Sequence, residues 1–163
     1  LMTSELMLRR KWTFRAENKR VVFVKHSNER PEHVFMKAFL WALYLPDYPN
    51  MGVEIAIGDR YRPDVVSLDM SERPLFWGEA GHIGDDKIRS LVKRFRNTHF
   101  VIAKWNSSLD PVIATVNSAL KDVKRTAPFD LITFPADSAD RFIGPRGDIS
   151  LSLNDVDWVR LGG

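Results

Sequence analysis

Two carboxylates in the middle of the chain have the residue types and the spacing of a metal site. Asp64 follows Pro63 on a predicted strand that spans residues 61–68. Glu79 lies inside the apolar stretch 75–80, which predicts the next strand. Neighbouring strands would bring both side chains to one region. Hard divalent cations select oxygen ligands, so the pair is a candidate Mg²⁺ site.

Both acids also have structural interpretations that the sequence leaves open. Asp64, as the residue after a proline at a strand start, can accept a backbone hydrogen bond. A carboxylate inside a strand as apolar as that of Glu79 needs a partner, because an unpaired buried charge is costly. Arg60 or Arg62 could supply that partner. A metal site and a set of ordinary structural contacts are therefore competing hypotheses for the same two residues.

A helix with a basic polar face is predicted directly after these strands. Its apolar residues recur at the helical spacing i, i+3, i+4 and i+7, and they are Ile88, Leu91, Val92 and Phe95. Asp85 is the predicted N-cap, and the helix is expected to run to about Asn97. After Asp86 the polar face is basic throughout, with Lys87, Arg89, Lys93, Arg94 and Arg96. Such a run is usually a solvated face, and it is also what a nucleic-acid surface requires.

The arrangement resembles a known family of nucleases. Pro63-Asp64 followed by Glu79-x-Gly81 is similar to the pattern of the PD-(D/E)xK superfamily, and nearly the whole chain resembles the YaeQ family within it. The helix that Glu32 opens, the helix start at 85–89 and the late Trp158 belong to the same resemblance. One position departs from the superfamily pattern. This chain has Gly81 at the position where the superfamily has a lysine. YaeQ-like chains share that glycine.

The resemblance implies a set of roles at this site. Asp64 and Glu79, with the backbone carbonyl of Ala80, would be ligands of Mg²⁺ or Mn²⁺. Glu32 would hold the metal through water or a hydrogen bond, although an acid in a first helical turn is also explained by the helix dipole. Lys87 would replace the missing lysine. Residues expected to contact nucleic acid are Lys87, Lys93 and Arg94, and Lys104 is a weaker substitute for the lysine.

Two functions follow from these expectations. The first is a Mg²⁺-dependent nuclease that hydrolyses phosphodiester bonds of DNA or RNA. The second is a catalytically silent member of the same fold that binds nucleic acid or a protein partner. Gly81 favours the silent protein, whereas the coincidence of Glu32, Asp64, Glu79 and Lys87 favours the enzyme.

The predicted fold is an α/β, restriction-endonuclease-like mixed sheet flanked by helices, with an N-terminal β-hairpin and C-terminal edge strands. The hairpin uses residues 11–15 and 21–26, with a turn at Asn18. A helix capped by Ser27 or Asn28 follows and ends before Pro46. Further strands are predicted at 53–57, 100–103, 131–134 and 157–159, with a hairpin turn at Gly58-Asp59 and a helix from Asp110. Residues 136–148 are expected to be a loop, and Ile149, Leu151 and Leu153 an edge strand.

Composition narrows the remaining function classes. The length of 163 residues predicts one domain, residues 1–163, and the chain has no cysteine, which excludes disulfides and thiol catalysis. Four scattered histidines lack zinc spacing, and no nucleophile elbow or glycine-rich phosphate loop is present. The longest apolar run, 38–45, is far short of the ~20 residues of a membrane span. We therefore expect no membrane association, no signal peptide and a cytoplasmic location. The net charge of +3 permits DNA or RNA as a partner.

Overall fold

The computed structural model describes residues 10–162. The expectation of no signal peptide concerns the N-terminus, most of which lies outside the described residues. Alternating apolar residues build the predicted hairpin from β1 (Lys11–Ala16) and β2 (Lys19–Val24), which pair antiparallel. Its turn uses Glu17 and Asn18 at φ 51° and 60°, as a two-residue hairpin turn requires. Its buried face packs Trp12, Phe14 and Phe23 into the core.

Helix α1 (Pro31–Tyr44) is buried over most of its surface, because it contacts both the hairpin and the main sheet. Pro31 occupies its first turn, as predicted. The predicted cap by Ser27 or Asn28 is wrong, since Arg30 is the N-cap residue and makes no side-chain cap. Packing on two sides stabilises this helix in place of a cap.

The main sheet has six strands in the order β3-β4-β5-β6-β7-β8. Strands β5, β6 and β7 are parallel, and the other neighbours pair antiparallel. The sheet is therefore mixed, and the predicted α/β class with an N-terminal hairpin is confirmed. The strands are Gly52–Val53, Val65–Leu68, Pro74–Ala80, His99–Trp105, Phe129–Phe134 and Asp157–Leu161.

Two helices connect the parallel strands. Helix α2 (Asp85–Arg94) joins β5 to β6, and α3 (Asp110–Leu120) joins β6 to β7, in the strand–helix–strand succession that the sequence predicts. The two helices contact each other. They share a core with one sheet face that includes Trp77, Phe100 and Leu131, whereas α1 and the hairpin belong to a second core.

The predicted strand at 53–57 and the hairpin turn at Gly58-Asp59 are wrong. Strand β3 ends at Val53, and Glu54 adopts φ 53°, which interrupts an extended backbone. Residues 54–64 form a long loop that returns to β4, and Asp64 is the last residue before that strand. The loop places Asp64 at the edge of the sheet, beside the end of β5.

The C-terminal region has less strand than predicted. The expected loop at 136–148 contains a short helix, α4 (Ser138–Phe142). The expected strand through Ile149, Leu151 and Leu153 is wrong, because the chain there makes isolated bridges and then a 3-10 helix, Leu153–Asp155. Its alternating apolar side chains pack on the α1 core from irregular backbone. Within residues 10–162, no helix has the length and hydrophobicity that a membrane span requires.

Candidate metal centre

Asp64 and Glu79 lie opposite each other where β4 begins and β5 ends. Val65 pairs with Gly78, so the register places Asp64 across from Glu79. The Asp64 N–H donates to the Gly78 carbonyl at 3.1 Å, and the Ala80 N–H donates to Asp64 Oδ2 at 2.8 Å. The backbone of β5 therefore holds one oxygen of Asp64 beside Glu79.

The two carboxylates destabilise each other as charged groups. Burial, followed by the negative charge of Asp64, raises the pKa of Glu79, against hydrogen bonds from Lys87 and Trp77. Burial also raises the pKa of Asp64, against the Ala80 N–H and nearby cations. Only 9% of the Glu79 side chain and 22% of the Asp64 side chain are exposed. A bound cation would remove the unfavourable repulsion between two such groups.

Lys87 reaches the acids from the first turn of α2. Its Nζ lies 2.7 Å from Glu79 Oε1 and 5.2 Å from the centroid of the Tyr61 ring. Arg60 instead contacts Ser90 and Tyr61. The residue that pairs with Glu79 is therefore Lys87, and the interpretation that assigned this pair to Arg60 or Arg62 is wrong. The Lys87 side chain points into the site, so the alternative in which it is an ordinary solvated surface lysine does not apply to it.

Helix α1 directs His33, and not Glu32, towards Asp64. His33 Nε2 is 3.9 Å from Asp64 Oδ2, and His33 Nδ1 is 2.6 Å from Glu29 Oε2. Glu32 lines a neighbouring cavity with Lys104, and no contact with either carboxylate is found among residues 10–162. The structure therefore brings together Asp64, Glu79 and Lys87 and leaves Glu32 at the side of the site.

A buried ion cluster behind Asp64 was missed by the sequence analysis. Lys37 is only 3% exposed, and its Nζ lies 2.8 Å from both Glu29 Oε2 and Glu54 Oε1. Burial opposes ionisation of Glu29, but hydrogen bonds from Lys37 and His33 lower its pKa to about 2. The Glu54 N–H donates to the Asp64 carbonyl at 2.9 Å. The cluster therefore ties α1 and the 54–64 loop to the backbone of Asp64.

The spacing of this cluster was the signal that could have revealed it. His33 and Lys37 are four residues apart on α1, which places them on one side of the helix, and Glu29 lies four residues before His33, just outside the helix. The neighbouring apolar residues dominated the prediction for this helix. The charged side therefore remained unassigned.

The other predicted nucleic-acid contacts have different surroundings. Arg94 is exposed but bonds both oxygens of Asp59. Lys93 is also exposed, and no ion pair to it is found within the described part of the chain. Of the three predicted cations on α2, Lys87 and Arg94 are thus paired with acids, and Lys93 faces solvent.

The donor set agrees with a hard cation that retains water ligands. Within residues 10–162 no group of three or more histidine and acidic side chains is arranged to hold a metal ion. The described contacts engage Oδ2 of Asp64 and Oε1 of Glu79, and they leave Oδ1 and Oε2 available. Mg²⁺ is commonly held by one or two carboxylates together with waters. The Ala80 N–H donates a hydrogen bond to Asp64. The carbonyl group of the same residue stays a predicted ligand.

Comparisons with known proteins show a likeness of fold. No protein-family model and no curated protein matches the chain. The YaeQ protein from Pseudomonas syringae is similar in structure, with a TM-score of 0.59 and 18% identity, over 82% of this chain and 71% of that chain. The YaeQ protein from Xanthomonas axonopodis pv. citri has a TM-score of 0.53 and 12% identity, over 76% of this chain and 72% of that chain.

Proposed function

We propose that the chain is a YaeQ-like member of the PD-(D/E)xK, restriction-endonuclease-like proteins and a Mg²⁺- or Mn²⁺-dependent nuclease. One observation carries the proposal. Asp64 and Glu79 are held opposite each other at the edge of the sheet, and burial raises the pKa of both. Perturbed carboxylates that face each other are typical of functional sites. The YaeQ structures support the fold part of this proposal.

Each residue of the site has a role in this proposal. Asp64, Glu79 and the Ala80 carbonyl would hold the ion, and the chemistry that a bound ion would supply is polarisation of the phosphate and activation of a water molecule. Lys87, 2.7 Å from Glu79, is placed to stabilise negative charge that develops on the phosphate. DNA or RNA is the proposed substrate. Lys93, the solvent-facing cation of α2, would contact its backbone.

His33 is a further candidate for proton transfer. Glu29 is ionised at neutral pH because its pKa is about 2, so it accepts the Nδ1–H of His33. That hydrogen bond leaves Nε2 as the acceptor of the ring. Nε2 lies 3.9 Å from Asp64 Oδ2, which is too long for a direct hydrogen bond and leaves room for a bridging water. His33 would take the proton of that water.

The second candidate is a catalytically silent binding module. The observation that favours it is the contact between Lys87 and Glu79, because an ammonium group already neutralises one carboxylate of the pair. Gly81, in place of the superfamily lysine, points in the same direction. In that case the acids and Lys87 would stabilise the sheet edge and bind no ion.

Metal binding and cleavage, measured on the same variants, separate the two candidates. Calorimetric titration with Mn²⁺ and cleavage of end-labelled DNA and RNA should both give a signal for the unmodified protein. Asp64→Asn and Glu79→Gln should lose both. Asp85→Asn is the matched control, because Asp85 is exposed and pairs with Arg89 away from the site. An unmodified protein that binds no Mn²⁺ and cuts neither substrate would support the silent module.

A further inference from the structure

Two cavities adjoin each other along the carboxyl ends of the parallel strands. The first has a volume of about 680 Å³ and is lined by the start of α1, by Gly81 and by the end of β6. The second has a volume of about 480 Å³ and is lined by the residues that follow β6 and β7. Ser107 lines both, so the two cavities are neighbours, and we call the pair the edge groove. Ligands of α/β sheets commonly bind at this end of the strands.

The edge groove begins beside the candidate metal centre. Gly81 and His33 line its first cavity. Gly81 lies two residues after Glu79, and His33 Nε2 is 3.9 Å from Asp64 Oδ2. A polymer that placed one phosphate at the carboxylates would therefore continue into the groove.

Lys104 supplies a cation within the groove, and no ion pair to it is found among residues 10–162. Of the two acids that line the same cavity, Glu29 is paired with Lys37 and His33, and Glu32 makes no ion pair with Lys104. Its Nζ donates to the Gly81 carbonyl at 3.2 Å, which leaves two of its three N–H donors available. Lys37 and Lys87, the other two lysines near the site, each lie within 2.8 Å of a carboxylate. Burial lowers the pKa of Lys104, as expected for a half-buried amine without an anionic partner. An anionic ligand group would complete its surroundings.

Trp105 follows Lys104 at the end of β6 and offers a rigid aromatic surface to the same cavity. Its ring packs against Phe35, Phe39 and Phe134, with centroids 6.1, 6.5 and 6.4 Å away. The residue remains partly exposed and lines the first cavity. Successive strand residues point to opposite faces of a sheet, yet both Lys104 and Trp105 line this cavity at the end of β6. A fixed ring and an ammonium group in one cavity match the needs of an unpaired base and its phosphate.

The second cavity is suited to an uncharged polar group. Its acids, Asp155 and Asp157, would repel a phosphate, and its Arg141 lies 3.7 Å from Asp137. The remaining polar lining consists of neutral side chains that donate and accept hydrogen bonds, namely Asn106, Ser107, Ser108, Thr133 and Asn154. Nucleobases and sugars carry the complementary groups.

We propose that the edge groove binds a single-stranded polynucleotide, with a phosphate on Lys104, a base on Trp105 and the adjoining nucleoside in the second cavity. The inference deepens the proposed nuclease function and rests on it for the position of the scissile phosphate. Bases in a duplex are stacked and paired, so they cannot present a face to Trp105. The groove therefore selects single strands, or strand ends that have separated.

Binding without metal tests the groove independently of cleavage. Fluorescence anisotropy in EDTA would use a labelled single-stranded DNA, an RNA of the same sequence, and the corresponding DNA duplex. Either single strand should bind at least tenfold more tightly than the duplex. Lys104→Met should reduce the slope of log affinity against log salt by about 0.7, the share of one phosphate contact on a single strand. The DNA and RNA arms show which single strand is preferred.

Two further variants and one control complete the test. Trp105→Leu should weaken binding of the single strand by about fivefold or more, and Trp105→Phe should retain most of it. If Trp105→Leu also lowers the melting temperature strongly, Lys104→Met and Trp105→Phe decide. Lys121→Met is the matched control, because Lys121 is an exposed lysine just after the far end of α3. It should leave the affinity and the salt slope unchanged.

Three results would overturn the proposal: no binding of either single strand, equal binding of duplex and single strand, or equal behaviour of Lys104→Met and Lys121→Met. The test also separates this inference from the nuclease proposal. Selective single-strand binding without Mn²⁺ binding or cleavage would retain the groove and reject the enzyme. Cleavage that proceeds equally on duplex and single strand, unaffected by Lys104→Met, would retain the enzyme and reject the groove.

Discussion

Replacing Lys37 with methionine should strongly destabilise the fold, because two carboxylates lose their common partner. Lys37 is 3% exposed and lies 2.8 Å from both Glu29 and Glu54. Removing one member of a buried ion pair costs roughly 3–5 kcal/mol. Hydrogen bonding lowers the pKa of Glu29 from 4.5 to about 2 against the effect of burial, which corresponds to at most about 3–4 kcal/mol at neutral pH, less where water screens the pair. Methionine keeps the apolar stem but removes the ammonium group, whose Nζ lies 5.5 Å from the centroid of the Phe23 ring, so the lost cation–π contact adds to the effect.

The dependence on pH gives this prediction a second test. Because the folded pKa of Glu29 is depressed, its stabilising contribution is present above pH 4.5 and is lost as the pH falls through about 2. Lys37→Met removes the largest cause of that depression. Urea unfolding, followed by tryptophan fluorescence, should therefore show a difference of about 3 kcal/mol at neutral pH that is smaller by roughly 1 kcal/mol near pH 3.5.

The matched control is Lys121→Met, which replaces an exposed lysine and should stay within about 0.5 kcal/mol of the unmodified protein. A loss of less than about 1 kcal/mol in Lys37→Met at neutral pH would show that solvent already screens the cluster. A loss that does not change with pH would show that Glu29 is not the residue that Lys37 stabilises.

Three further outcomes are expected at the site and on α2. Asp64→Asn should raise the melting temperature in the absence of metal, because it removes a buried charge, and should abolish any rise caused by Mg²⁺; an equal rise in the variant would indicate a nonspecific ion effect. Lys87→Met should lower the cleavage rate by about tenfold or more while Mg²⁺ binding survives, and an unchanged rate would exclude Lys87 from catalysis. Lys93→Ala should reduce the salt slope of nucleic-acid binding by about 0.7 to 0.9, whereas Arg94→Ala should not, because Asp59 holds the Arg94 guanidinium; equal slopes for both variants would contradict this assignment.

The helices and strands whose apolar pattern follows from burial could be predicted from the sequence. The near-continuous apolar runs at β6 and β7 and the helical spacing of Ile88 and Leu91 lead to elements that the structure confirms. The approach of Asp64 to Glu79 follows from the same patterns, because β4, which begins just after Asp64, and β5, which carries Glu79, were both recognised. Local alternation was less reliable. Ile149, Leu151 and Leu153 alternate because they pack on a core from irregular backbone, and within residues 10–162 an isolated bridge at Ile149 is the only strand-like pairing found for them.

The contacts between elements could not be predicted in this way. Glu54 reaches Lys37 because a loop with a residue at positive φ turns back towards α1. Its place in the sequence gives no sign of that partner. The side of α1 on which Glu32 lies could not be predicted for a related reason. An acid in a first helical turn is favourable in itself, so its type and location do not show which side of the helix faces Asp64. Only the packing of α1 on the sheet places His33 there.

Gly81 shows why the missing lysine of the nuclease pattern is not a simple loss. Its φ is +90°, a conformation that strains residues with a side chain by about 1–3 kcal/mol. Space is not the obstacle, because a β carbon there would lie 3.8 Å from His33. The backbone turns at Gly81 as β5 ends, and its N–H bonds the Ala103 carbonyl. A lysine at this position would therefore disturb the turn. In the proposed nuclease, positive charge would come instead from Lys87 on α2 and Lys104 on β6, which contact Glu79 and the Gly81 carbonyl. Under the proposed function, tertiary packing would supply what the superfamily encodes by spacing along one strand, and a search for that spacing would find only the glycine.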